Sequence, residues 1–232
     1  MSEPKDDAFM ARRDAARAAL DELPGNYAND SAGRNVFFDA VYDEANGDAA
    51  AVPWADLAPK DYLVDWLGKN AGQGKTAIDI GCGLGDNAEA MAAHGYETTA
   101  FDVVEKAIKW ANHRFPDTRV HYQVADIFSL PDAWSERFDF VHECYTMQAL
   151  PTKMLHETSK AVCDLVAPGG KLMIYTRSRE NGAEANGPPW PLEEQYLHLP
   201  RQFGLTLLTE KKLNVPRDVR NIPHHFSIWE KQ

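Results

Sequence analysis

Residues 76–95, TAIDIGCGLGDNAEAMAAHG, decide the reading of this chain. The apolar run TAIDI predicts a buried strand, and the Ala-rich run after Gly85 predicts a helix. Between them stand Gly81, Gly83 and Gly85. Glycine reaches backbone conformations closed to other residues and lets a ligand lie against the main chain. A strand, a glycine turn and a helix in this order therefore suit a nucleotide. The spacing argues against a pyrophosphate. A dinucleotide fingerprint, GxGxxG, has its third glycine three residues after the second. Here Gly85 follows Gly83 by two, and Asp86 stands where that glycine belongs. Asp86 and Glu89 read as a capping pair at the helix start, which would occupy the free amides and repel a phosphate. A nucleoside without phosphates fits better.

Outward from this turn the texture is regular. Short apolar runs at 76–80, 97–102, 120–124, 138–143 and 171–176 predict strands. Helical patterns at 87–93, 105–114 and 153–166 separate most of them. Such alternation implies right-handed βαβ units and a mainly parallel sheet. Near the end, GLTLLTEKKLN (204–214) and HHFSIWEK (224–231) predict two more strands, paired as an antiparallel hairpin. The expected fold is α/β: a Rossmann-like, doubly wound, seven-stranded sheet with a C-terminal antiparallel hairpin and an N-terminal helical cover. Residues 6–23 predict one amphipathic helix, stopped by Pro24-Gly25. A turn-rich segment follows around Phe37, Phe38 and Tyr42, and Pro59 opens a helix through Leu67.

Composition narrows the function. With 44% hydrophobic and 25% charged residues the chain reads as globular. No apolar run approaches the roughly 20 residues that span a bilayer, and the first residues lack the apolar centre of a secretory signal. A cytoplasmic location and no membrane partner are expected. Cys82, Cys144 and Cys163 show no CxxC spacing, so neither a disulfide framework nor a metal site is expected. The net charge of −11 repels a phosphate backbone, which argues against a nucleic-acid partner. A small-molecule substrate, handled by a monomer or homodimer, is the expectation.

A nucleoside needs a grip on its ribose. Asp102 ends the second strand about 20 residues after Gly81, at the sheet edge where ligands bind in such folds, and a carboxylate there accepts from both ribose hydroxyls. At the end of the third strand Asp126 is placed to accept from an exocyclic amine, and Ile127 and Phe128 to pack on a flat base.

Together, Asp79-x-Gly81-x-Gly83-x-Gly85, Asp102, Ala125-Asp126, FDFVHECYTMQALP (138–151) and LVAPGGKLMIYT (165–176) resemble the class I S-adenosylmethionine-dependent methyltransferases. The likeness covers roughly residues 76–177. Its details, such as GPPWPL after the fifth strand, are more similar to small-molecule enzymes of the thiopurine and thiol/halide type. The resemblance implies an enzyme whose cofactor is S-adenosylmethionine and whose product is S-adenosylhomocysteine. It places Gly81, Cys82, Gly83 and Gly85 near the methionine part, and Asp102 with Val103 at the ribose. Asp126 and Ile127 fall at the adenine. Asp79 would position the loop or the methionine ammonium, and Glu143 would sit beside the methionine part. Trp54 would close over the sulfonium. The expected organisation is one methyltransferase domain over 1–232. Residues 1–70 form its lid, and 71–232 carry the cofactor and late substrate loops.

Methyl transfer is an in-line displacement that needs positioning and dryness more than a protein nucleophile. A base is needed only where the acceptor is still protonated at neutral pH. Candidate bases are Tyr145 and His225. Arg177, Trp190 and His224 are candidate acceptor contacts, with Arg179 nearby. The acceptor is expected to be a thiol or another soft heteroatom. The alternatives are an O- or N-methyltransferase of a small metabolite, or a regulator that binds the cofactor without catalysis.

Overall fold

The computed structural model describes residues 6–185, 187–217 and 220–232. Among the described residues there are seven strands: β1 (Thr76–Ile80), β2 (Glu97–Asp102), β3 (His121–Val124), β4 (Phe138–Cys144), β5 (Val166–Arg177), β6 (Leu205–Arg217) and β7 (Arg220–Lys231). They form one sheet in the order β3-β2-β1-β4-β5-β7-β6. The first five run parallel where paired, and β7 turns antiparallel to β5 and β6. This is the expected mixed, mainly parallel sheet with a closing hairpin. The helices are α1 (Asp7–Ala19), α2 (Ser31–Ala45), α3 (Asp61–Leu67), α4 (Asp86–Ala93), α5 (Glu105–Arg114), α6 (Leu155–Asp164) and α7 (Glu194–Leu197). No helix among the described residues is long and apolar enough to cross a membrane.

The residues fall into two compact units. The first comprises Met1–Gly74 and Cys82–Val124. Its core joins the N-terminal segment to the glycine turn: Phe9, Tyr42, Ala50 and Val52 pack in one cluster with Leu84, Val104 and Ala107. The Asp6 carboxylate caps α1 by accepting from Phe9 N at 2.8 Å, the usual role of Asp at a helix start. Arg13, one turn after Phe9, is buried and donates to the carbonyls of Ala49, Val52 and Ala55. An arginine on the apolar face thus tethers α1 to the 49–55 turn. The helix α2 departs from the expected turn-rich segment. Asp30 caps it by accepting from Gly33 N at 2.8 Å, and it ends at Asn46 in the left-handed conformation.

The second unit comprises Lys75–Gly81 and Ala125–Gln232. Here β1 pairs with β4 so that Asp79 stands beside His142 and Ile80 beside Glu143. The helix α6 buries Leu155, Thr158, Ser159, Val162 and Cys163 on one face. The strand β5 starts five residues earlier than its apolar run suggests, because Val166 pairs with Phe138 ahead of an irregularity in the ladder.

Candidate active site

In the first unit the chain leaves the glycine turn tied to β2: Cys82 N donates to the carbonyl of Phe101 at 2.9 Å, and Gly85 N to that of Cys82 at 3.0 Å. Gly85 has φ +91°, and a Cβ there would lie 2.3 Å from the Tyr122 hydroxyl. Both facts demand glycine. Gly85 itself is the N-cap of α4, with no side-chain cap. The capping pair expected from Asp86 and Glu89 is therefore absent. Asp86 lies one residue too late and accepts from both terminal nitrogens of Arg114 at 2.8 Å. Glu89 instead accepts from Thr118 at 2.5 Å and from Tyr122 at 2.9 Å.

Asp102 closes β2 with a buried carboxylate. Its Oδ2 accepts from Gly83 N and its Oδ1 from Val104 N, both at 3.0 Å. Tyr42 is buried, and burial first, then the charge of Asp102, pushes its phenol up. Trp54 Nε1 donates to the Tyr42 hydroxyl at 3.3 Å, and its indole packs edge-on to Phe38 and Tyr42 with 37% of its surface exposed. Val103 is half-buried against the same N-terminal cluster.

In the second unit Gly81 meets Thr146, whose Oγ1 would be 2.5 Å from an added Cβ. Asp79 and Glu143 are buried on neighbouring strands. Asp79 Oδ1 accepts from Nδ1 of the fully buried His142 at 2.7 Å, while Oδ2 has no partner. Glu143 Oε1 accepts from Met147 N at 2.9 Å, and Oε2 has none. Burial pushes the Glu143 carboxyl up to about 7, and the Asp79 charge adds to the rise. Each of these two buried carboxylates has one oxygen lacking a donor, an acceptor that a cationic hydrogen-bond donor would satisfy. Asp126 accepts from Phe128 N at 2.9 Å in the turn after β3, with Ile127 buried beside it.

Beyond Glu143 the chain turns sharply, and Tyr145 adopts φ +69°, a costly conformation for a bulky residue that marks a constrained position. Its hydroxyl lies 2.9 Å from His224 Nε2. His224 Nδ1 lies 2.8 Å from the Ile222 carbonyl, which can only accept. That fixes the tautomer: Nδ1 carries the proton, and Nε2 accepts from Tyr145. Burial pushes the Tyr145 phenol up, so the tyrosine is the donor of this bond and His224 Nε2 its acceptor. Tyr175 stacks on His224 at 5.3 Å. Gln148 links the late loop: its Oε1 accepts from Arg177 N at 2.6 Å, and its carbonyl from Trp190 N at 2.7 Å. Arg179 is held within that loop by Glu193 at 2.5 Å and by the Pro191 and Ala183 carbonyls. His225, next to His224, faces the other side of β7 and lies 2.7 Å from Glu210.

Residues 77–170 match the family described as a methyltransferase domain. Over that stretch the chain is similar to methyltransferase domains. The methyltransferase match covers the glycine turn, Asp102, Asp126, Glu143 and Tyr145, and leaves Trp54, Arg177, Trp190, His224 and His225 outside it. Ubiquinone biosynthesis O-methyltransferases are among its relatives. That of Aromatoleum aromaticum is 35% identical over 119 residues, covering 50% of each chain. That of Alkalilimnicola ehrlichii is 31% identical over 166 residues, covering 66% of this chain and 64% of the other. The chain spans about half the length of the first of these relatives. Among solved structures, one from work on the conversion of a disulfide bond into a thioacetal group during echinomycin biosynthesis aligns with a TM-score of 0.68. It shares 21% identity over 84% of this chain and 90% of that chain. The N-methyltransferase NodS from Bradyrhizobium japonicum WM9, in complex with S-adenosyl-L-homocysteine, aligns at 0.62 with 17% identity over 82% and 98%. These likenesses show the fold.

Sequence reasoning passed over His142 and Tyr122. His142 carries a usable signal: a polar residue inside an apolar strand, beside another strand that buries Asp79. Tyr122 carries none, since an aromatic in a strand reads first as packing.

Proposed function

We propose that this chain is an S-adenosylmethionine-dependent methyltransferase that moves the cofactor's methyl group to an oxygen of a small molecule. The bound cofactor supplies an electrophilic methyl carbon. The observation that carries the reading is the buried pair Asp79 and Glu143, whose unpartnered oxygens suit the methionine ammonium. Asp102 receives the ribose hydroxyls, Val103 flanks it, and Asp126 with Ile127 receives the adenine. Gly81, Cys82 and Gly83 bring main chain close to the methionine part, and Trp54 covers the sulfonium.

The relatives named O-methyltransferases favour oxygen over the sulfur that the thiopurine-like details suggest. An alcohol or phenol must lose its proton as it is methylated, which calls for a base. His224 Nε2 takes that role, with its tautomer held by the Ile222 carbonyl and its lone pair held towards Tyr145. Tyr145, whose one proton goes to His224, takes the acceptor's proton on its oxygen as its own passes to Nε2, while Arg177 and Trp190 border the acceptor from the late loop. His225 lies on the other face of β7 and has no part in this reading.

Calorimetry should show S-adenosylhomocysteine binding and no NAD binding; absence of the first overturns the cofactor assignment. Methyl release from labelled cofactor should be found with a phenol panel ahead of thiols, halides and amines. His224→Ala should lower kcat about 100-fold or more without changing S-adenosylhomocysteine affinity.

A further inference from the structure

On the face of β7 away from His224, three side chains from three elements meet. His225 Nε2 stands 2.7 Å from Glu210 Oε1 on β6, and His198 Nε2, just after α7, stands 2.8 Å from the same oxygen. All three ligand-type atoms lie within 4.8 Å of one another. The hairpin register explains the first pair. Lys212 is paired with His225, and Glu210 with Ser227, which makes Glu210 the diagonal neighbour of His225 on one face. His198 comes in edge-on, its ring 6.3 Å from that of His225 and 6.1 Å from Trp229.

We propose that His198, Glu210 and His225 bind a divalent transition-metal ion of the zinc type, which clasps the end of α7 to the terminal hairpin. Two imidazoles and one carboxylate are the donor set of zinc sites that keep an open position for water. Magnesium and calcium take oxygen ligands and are disfavoured by this set. Metal ligands must be deprotonated. The His198 and Glu210 side chains are 25% and 30% exposed, which gives the ion its way in. His225 Nδ1 has no hydrogen-bond partner. A ligating imidazole is usually anchored through that second nitrogen, and loss of the anchor lowers affinity about 10–100-fold. The site is thus weaker than a fully buttressed zinc site by that factor.

The test uses the full chain without an affinity tag. Cobalt(II) is titrated while its visible absorption is followed, and zinc is then added in competition. His198→Ala and Glu210→Gln are compared with His121→Ala, an exposed histidine on β3. The wild type and H121A should take up one equivalent of cobalt, release it to zinc and melt at a higher temperature with zinc. H198A and E210Q should lose about 10-fold or more in affinity and show no thermal gain. Circular dichroism checks that each variant is folded. No saturable single equivalent in the wild type, or equal affinity in H198A and E210Q, overturns the proposal.

Discussion

The acids at the strand ends are of two kinds. Asp102, in the first unit, has a backbone amide on each oxygen. Asp79 and Glu143, in the second, each have one oxygen without a donor, although both residues are buried. The chain holds Asp102 in place before any ligand arrives, and such preorganisation lowers the cost of binding. The pair carries an electrostatic penalty instead, because a buried acceptor without a donor costs about 1–3 kcal/mol. One acid aims a ligand, and the other two want one. Substitutions should therefore act with different signs in the two places.

Asp102→Ala should have the largest effect. It deletes the ribose acceptor and strips the amides of Gly83 and Val104 of their partner. Two charge-assisted hydrogen bonds at about 1.5–3 kcal/mol each predict a loss of S-adenosylhomocysteine affinity of about 100-fold or more. Stability should fall as well. Calorimetry and thermal melting measure the two, and an affinity within about threefold of wild type would break the contrast.

Glu143→Gln should weaken binding by about 10–100-fold, one charged hydrogen bond's share, yet stabilise the free protein. Burial holds this carboxyl at about 7 rather than 4.5, so the folded protein binds the proton more tightly than the unfolded chain. The group's contribution to stability therefore falls as pH rises from 4.5 to about 7 and is level above. The amide removes that slope. A gain of about 1–3 kcal/mol above neutral pH follows. Denaturant melts at acidic and alkaline pH check it; equal slopes in wild type and variant would sink the idea.

The same titration predicts how binding depends on pH. An ammonium ligand needs the ionised acid, so S-adenosylhomocysteine affinity should rise with pH through about 7 and then level off. E143Q should flatten that rise. A wild-type profile already flat between pH 6 and 8 would move the ammonium away from Glu143.

The sheet was legible because it is written locally. The bounds of β1, β2 and α5 coincide with their apolar runs, and the acids that end those strands stand out in sequence. Two local patterns misled. The segment around Phe37, Phe38 and Tyr42 reads as rich in turn residues, yet Asp30 caps α2, because caps and turns draw on the same residues. DNAE reads as a capping pair, yet Gly85 takes the cap position. What stayed out of reach is non-local. His142 meets Asp79 only through the β1–β4 register, and Tyr145 meets His224 across 79 residues. The split between His224 and His225 was legible in principle, since neighbours on a strand face opposite sides.

Asp86→Asn should have the smallest effect, and it tests the glycine turn itself. The acid lies in the first turn of α4, where the helix dipole favours a negative charge, and Arg114 grips it at 2.8 Å with both partners largely shielded. Breaking a bidentate pair of this kind should lower stability by about 0.5–1.5 kcal/mol. S-adenosylhomocysteine affinity should not move, because Asp86 neither caps the helix nor holds the ribose. The informative control is NAD. If charge alone kept a pyrophosphate out, the asparagine variant would begin to bind it. None should bind, since Tyr122 crowds Gly85 so closely that even a Cβ would meet its hydroxyl at 2.3 Å. Exclusion then lies in the shape of the turn, and the acid at its edge serves the fold.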